Sequence, residues 1–222
     1  MSPHQDRDAA ASHKTSSRRV AYTLAAGAAA GGLAADSDGA VVYSGPQDLP
    51  VAQFGALDLN LDGDAYTDVL LKNYVLGAGN YQGATVNGYP GKLVGFNNGL
   101  AYVSALSAGS LIDGSTLGTG FFGSLAYGAA NPNAEFNSVS GAYIGLSFPI
   151  GGNAPQFAHY GWVRVSIDNA AGTFVINDWA YDDVPGQGIL AGQVPEPGSL
   201  GLLAAGALGV AALKRRRSAA QA

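Results

Sequence analysis

The sequence predicts an all-β protein, an antiparallel β-sandwich of jelly-roll character, and three observations carry that reading. Thirty-three glycines and ten prolines in 222 residues favour short strands and tight turns over long helices. Ala142, Ile144, Leu146 and Phe148 alternate with Tyr143, Gly145 and Ser147 at the period of two that marks a half-buried strand, and Pro149 ends it. Val163, Val165 and Ile167 then take one face of a strand and Tyr160, Trp162 and Arg164 the other. A turn at 168–172 and a return through Phe174 and Ile176 complete a hairpin. With the tails set aside about 160 residues remain, enough for one core without covalent staples. The chain has no cysteine, which excludes disulfides, thiolate-bound zinc, iron–sulfur clusters and a cysteine nucleophile.

In chain order, residues 1–35 read as an export signal: a polar start with Arg18 and Arg19, then an Ala- and Gly-rich apolar run of fifteen residues. Ser17-Arg18-Arg19-Val20 resembles a twin-arginine signal, loosely, and general secretory export fits as well. Small residues permit cleavage after Ala34 or near Ala40. The domain, taken as residues 36–193, opens with a short strand at Val41 and Tyr43 that Gly45-Pro46 ends.

Next comes the one patterned acidic cluster, with Asp58, Asn60, Asp62 and Asp64 at every second position and Asp68 four further on. In a tight loop such oxygens converge on a point, as a hard cation such as Ca²⁺ requires; in an extended strand they merely share a face. Two registers compete. Starting at Asn60 resembles the D-x-D-x-D-G-x-x-D loops of calcium-binding surface proteins, with Ala65 in place of the turning Gly. Starting at Asp58 puts Gly63 at the turn but leaves Tyr66 and Val69 where later ligands belong. A solvated acidic turn is the alternative to a calcium site.

Residues 68–74 read as a strand, and 80–133 as short apolar runs among Gly, Asn and Ser without a fixed repeat. Tyr74, Tyr81, Tyr89, Phe96 and Tyr102 are aromatic faces for sugar stacking or, more plainly, core and loop cover. Between Asp36 and Val194, three basic residues stand against twelve Asp and one Glu, a formal charge of −10. That surface repels phosphate backbones, so nucleic acid is not an expected partner.

The C-terminal segment, residues 194–222, stacks three features in order. Val194-Pro195-Glu196-Pro197 cannot continue a helix or a central strand. The run from Ser199 to Leu213 carries no charge and would span roughly 22 Å as a helix at about 1.5 Å per residue, short against a bilayer core of about 30 Å. Lys214, Arg215, Arg216 and Arg217 then form a basic stop that stays on the cytoplasmic side. Together these resemble the PEP-CTERM sorting signal of Gram-negative bacteria. The resemblance implies recognition by exosortase, a membrane-embedded cysteine enzyme that cuts near the Pro-Glu-Pro motif, with the apolar helix as a transient inner-membrane anchor. The stretch from Tyr160-Gly161-Trp162-Val163 through Asp178-Trp179-Ala180-Tyr181 to Pro185-Gly186 resembles the closing strands of many such proteins, without an assigned activity.

A Ser-His-Asp triad would have to use His159, the domain's one histidine, and no G-x-S-x-G elbow accompanies it. A glycosidase pair would draw on Glu135, Asp178, Asp182 or Asp183, and no spacing selects two of them. The function expected is therefore that of an exported, non-enzymatic surface or extracellular-matrix protein, structural or adhesive, deposited among extracellular polysaccharide. A carbohydrate-binding module is the alternative, argued by an exposed Tyr or Trp beside the acidic loop, and a polysaccharide-active enzyme is a further one.

Overall fold

The computed structural model of the protein describes residues 40–118, 120–195 and Gly206. The export segment, Glu196, Pro197, most of the apolar run and the basic cluster from Lys214 to Arg217 lie outside the described residues. Among the described residues no helix is long and apolar enough to cross a membrane.

The strands are β1 (Val41–Tyr43), β2 (Leu49–Pro50), β3 (Gly55–Leu59), β4 (Val69–Leu76), β5 (Gly79–Val86), β6 (Lys92–Leu93) and β7 (Gly95–Asn97), followed by β8 (Ala101–Val103), β9 (Leu111–Ile112), β10 (Phe122–Ala126), β11 (Ser138–Pro149), β12 (Ala158–Asp168), β13 (Thr173–Asp182) and β14 (Ile189–Leu190). They form two six-stranded sheets. The first runs β1-β13-β12-β11-β6, with β2 also on β13; the second runs β3-β4-β5-β10-β8-β7; β9 and β14 make a small third pair.

The chain is all-β as predicted, but the strand order is not that of a jelly roll. Each sheet contains three consecutive strands side by side, β11-β12-β13 in the middle of the first and β3-β4-β5 at one edge of the second, because short turns keep sequence neighbours paired. Nor is every pair antiparallel. β8 and β10 run parallel at Tyr102 and Ser124, since the chain between them leaves to build β9 and re-enters in the same direction, as a parallel pair requires.

The alternation read in the sequence sets the core. Ile144, Leu146 and Phe148 of β11, Val163, Val165 and Ile167 of β12, and Phe174 and Ile176 of β13 pack in one cluster with Leu71, Val86, Val103 and Leu125 of the other sheet. Each such burial contributes about 1.5–3 kcal/mol. A bulge between Arg164 and Val165 sets Arg164 against Asp178 and Val165 against Ile176, so that Asn177 is the extra residue.

The opposite face of the first sheet is covered too, which corrects the half-buried reading. Tyr160, Trp162 and Ala180 form a second cluster with Ile112, Ile189 and Ala191 from the β9–β14 pair and its exit. Gly145 belongs to this layer: a Cβ there would meet Val94 at 2.7 Å and Leu106 at 2.8 Å.

One end of the sandwich is closed by amides. Asn73 Nδ2 donates to the carbonyls of Val51 and Gly172, Gln82 Nε2 to Asn73 Oδ1 at 2.9 Å, and Asn169 Nδ2 to Gln82 Oε1 at 2.7 Å. This chain ties β4 and β5 of one sheet to the β12–β13 turn of the other.

Candidate functional site

The other end of the sandwich is formed by the loops after β3, β5 and β11. The loop from Asn60 to Asp68 is held by its own side chains. Asn60 Oδ1 accepts the Gly63 N–H, Asp62 Oδ1 the Asp64 N–H and Asp64 Oδ1 the Tyr66 N–H, while Asn60 Nδ2 donates to the Asp64 carbonyl. These are the Asx turns that Asn and Asp make with backbone two or three residues on. Asp58 lies on β3 opposite Leu70, exposed and outside the loop. Asp68 is 5% exposed and accepts the Leu61 N–H at 2.7 Å. Burial first, then the charges of Asp62 and Asp64, push its carboxyl up to about 6. Among the described residues no three acidic or histidine side chains gather as a metal would need. As arranged, one oxygen each of Asn60, Asp62 and Asp64 serves a backbone donor, and the calcium expectation rests on the alternation alone.

Beside this loop lies a cleft of about 860 Å³, lined from the first loop by Asp64, Tyr66, Thr67 and Asp68 and from the others by Asn87 and Asn153. Two of its lining segments are joined by an extension of the β4–β5 ladder. The Asn87 N–H donates to the Asp68 carbonyl at 2.8 Å, and Gly88, at φ +77°, sits where a Cβ would come within 3.1 Å of Pro149. Gly151, at φ +79°, turns the third loop back toward the cleft in a backbone region that favours glycine. Tyr66 is 76% exposed. Sequence reading placed Tyr66 in the loop but missed the cleft, because Asn87 and Asn153 reach it only through tertiary structure.

The other residues singled out in the sequence lie elsewhere. Tyr74 and Tyr81 are cross-strand partners. Phe96 stacks on the buried Tyr102 at 5.3 Å, and Tyr89 is exposed. His159 is buried, its Nδ1 2.9 Å from the Asp182 carbonyl, with its ring against Phe148 and Tyr181. Asp178, 2% exposed, takes the Arg164 Nε–H at 2.8 Å and the Tyr43 hydroxyl at 2.9 Å. Glu135 accepts the Ala105 N–H at 2.8 Å.

The exit from the domain is firmly placed. Ile189 and Ala191 are buried, the Trp162 Nε1–H donates to the Gln193 carbonyl at 3.2 Å, and Gln193 Oε1 accepts the Leu190 N–H at 3.0 Å. Val194 and Pro195 follow at once, both exposed.

A β-sandwich whose last anchored residue, Gln193, is followed at once by the exposed Val194 and Pro195 is a folded domain joined directly to the C-terminal segment. The PEP-CTERM protein-sorting motif matches residues 193–217, and the chain is a PEP-CTERM sorting-domain-containing protein. The match covers the tail alone. It marks an exported chain targeted to exosortase and processed at the membrane. Comparison with curated proteins and with solved structures gives no match.

Proposed function

We propose that the domain is a non-enzymatic structural or adhesive protein of the cell surface or extracellular matrix, released from its membrane precursor by exosortase. The observation that carries this is the sorting motif beginning where the Trp162–Gln193 contact ends the fold. Processing then removes the tail without touching the core. Supporting the non-enzymatic part, the titratable groups a hydrolase would draw on are in structural use: Asp178 holds Arg164 and Tyr43, His159 holds Asp182, and Glu135 caps Ala105.

The test is intact-mass spectrometry of the native protein from cells with and without exosortase. We expect a domain lacking the basic tail in the first case and precursor in the membrane fraction in the second. Untrimmed, full-length chain in the cytosol overturns the reading. Replacing Pro195 and Glu196 together by Ala should give precursor alone even where exosortase is present.

A further inference from the structure

The cleft beside the acidic loop has the volume and the lining of a ligand site, and the sorting signal does not account for it. Its 860 Å³ falls within the range of about 300–1,000 Å³ typical of small-molecule sites. No aliphatic side chain larger than alanine lines it, Pro149 apart. Its polar side-chain groups are two carboxylates, two amides and the hydroxyls of Thr67 and Tyr66. Carboxylates only accept hydrogen bonds, whereas amides and hydroxyls both donate and accept, the mixture that adjacent sugar hydroxyls satisfy in pairs.

Tyr66 adds an aromatic surface that is 76% exposed, on a backbone fixed by the Asp64 side chain. Such a ring gives the C–H face of a sugar something to stack on. The Asn87 N–H to Asp68 carbonyl bond holds two of the lining segments together, which lowers the ordering cost of binding. Charge narrows the class further. Asp64 and Asp68 in the cleft, with Asp62 close by, repel uronates and phosphates.

From these features we propose that the cleft binds a ring of a neutral polysaccharide, with Tyr66 as the stacking face and Asp64, Thr67, Asn87 and Asn153 as hydrogen-bonding groups. The site stands apart from the sorting signal, so its failure leaves the export reading untouched.

The experiment uses the purified full chain in a detergent without a sugar headgroup. Saturation-transfer NMR is run with three neutral probes, cello-oligosaccharide, malto-oligosaccharide and chito-oligosaccharide, and with oligogalacturonate as the charged control, all at millimolar concentration. We expect transfer to at least one neutral probe and none to the control. Tyr66→Ala and Asn153→Ala should each weaken binding about tenfold or more with the melting temperature unchanged, since Tyr66 is largely exposed. Absence of transfer to all three neutral probes overturns the site, as does equal transfer to oligogalacturonate or affinity that survives both substitutions.

Discussion

Asp178 is 2% exposed and faces an arginine whose side chain is 37% exposed, and that asymmetry decides what a substitution costs. Removing Arg164 strands a buried carboxylate, but water reaches this edge. The expected loss for Arg164→Ala is about 1–3 kcal/mol, below the ~3–5 kcal/mol of a fully buried broken pair. Asp178→Asn, which keeps an acceptor for Tyr43, should cost less than Asp178→Ala; urea unfolding of the three variants checks the order.

Asp68 carries a pH signature. Burial raises its carboxyl from the ordinary 3.8 to about 6, and burial raises Asp182 in the same direction. Between those values the native state keeps a proton that the unfolded chain has lost, so unfolding releases it. This part of the stability is fully present below about pH 4 and is lost as pH rises through about 6, on the order of 2–3 kcal/mol for Asp68. In calcium-free buffer Asp68→Asn should flatten that decline; an unchanged slope between pH 4 and 7 would show that the carboxyl titrates normally.

At the scale of elements, the acidic loop illustrates how one pattern serves two physical ends. Alternate Asn and Asp side chains can converge on a cation or bond to the backbone just ahead, and here the second arrangement is formed. The loop takes its shape from these backbone bonds, and the expected outcome is that calcium or chelator leaves the melting temperature unchanged. A calcium-dependent rise would show the oxygens turning from backbone to metal. At the opposite end, Asn169→Ala removes the donor that Gln82 and the Asn80 carbonyl share and should cost about 1–3 kcal/mol, read by thermal or denaturant unfolding. Gly145→Ala should destabilise as well, because its missing Cβ is where Val94 and Leu106 sit.

For the whole molecule, the two ends of the sandwich are unlike. Amides lock one, while the other carries the cleft, and the chain leaves the fold at Gln193 beneath Trp162. Trp162→Phe removes that N–H while keeping most of the buried ring, so it should speed proteolysis after residue 190 with only a small fall in melting temperature. Limited proteolysis followed by mass spectrometry reads it; a cutting pattern identical to the parent would show that the strap is held by Ile189 and Ala191 alone.

The fold class and the strongest hairpin were legible because period-two alternation in β11 and β12 needs only local sequence to be seen. The Pro-Glu-Pro, apolar and basic series was legible for a similar reason: its physics lies in the order of three neighbouring segments. The jelly-roll expectation went astray because strand order depends on which distant segments meet, and local pattern does not encode that.

The same limit governs the rest. The sequence by itself determined that this is a cysteine-free, acidic β-protein bearing a sorting signal, since composition, charge and local periodicity are properties of the chain. Only the tertiary structure decided that Tyr160 and Trp162 are roofed by β9 and β14, that Asp178 serves Arg164, and that Tyr66, Asn87 and Asn153 border one cleft. Those contacts depend on how strands register and on which distant segments meet, neither of which local pattern encodes.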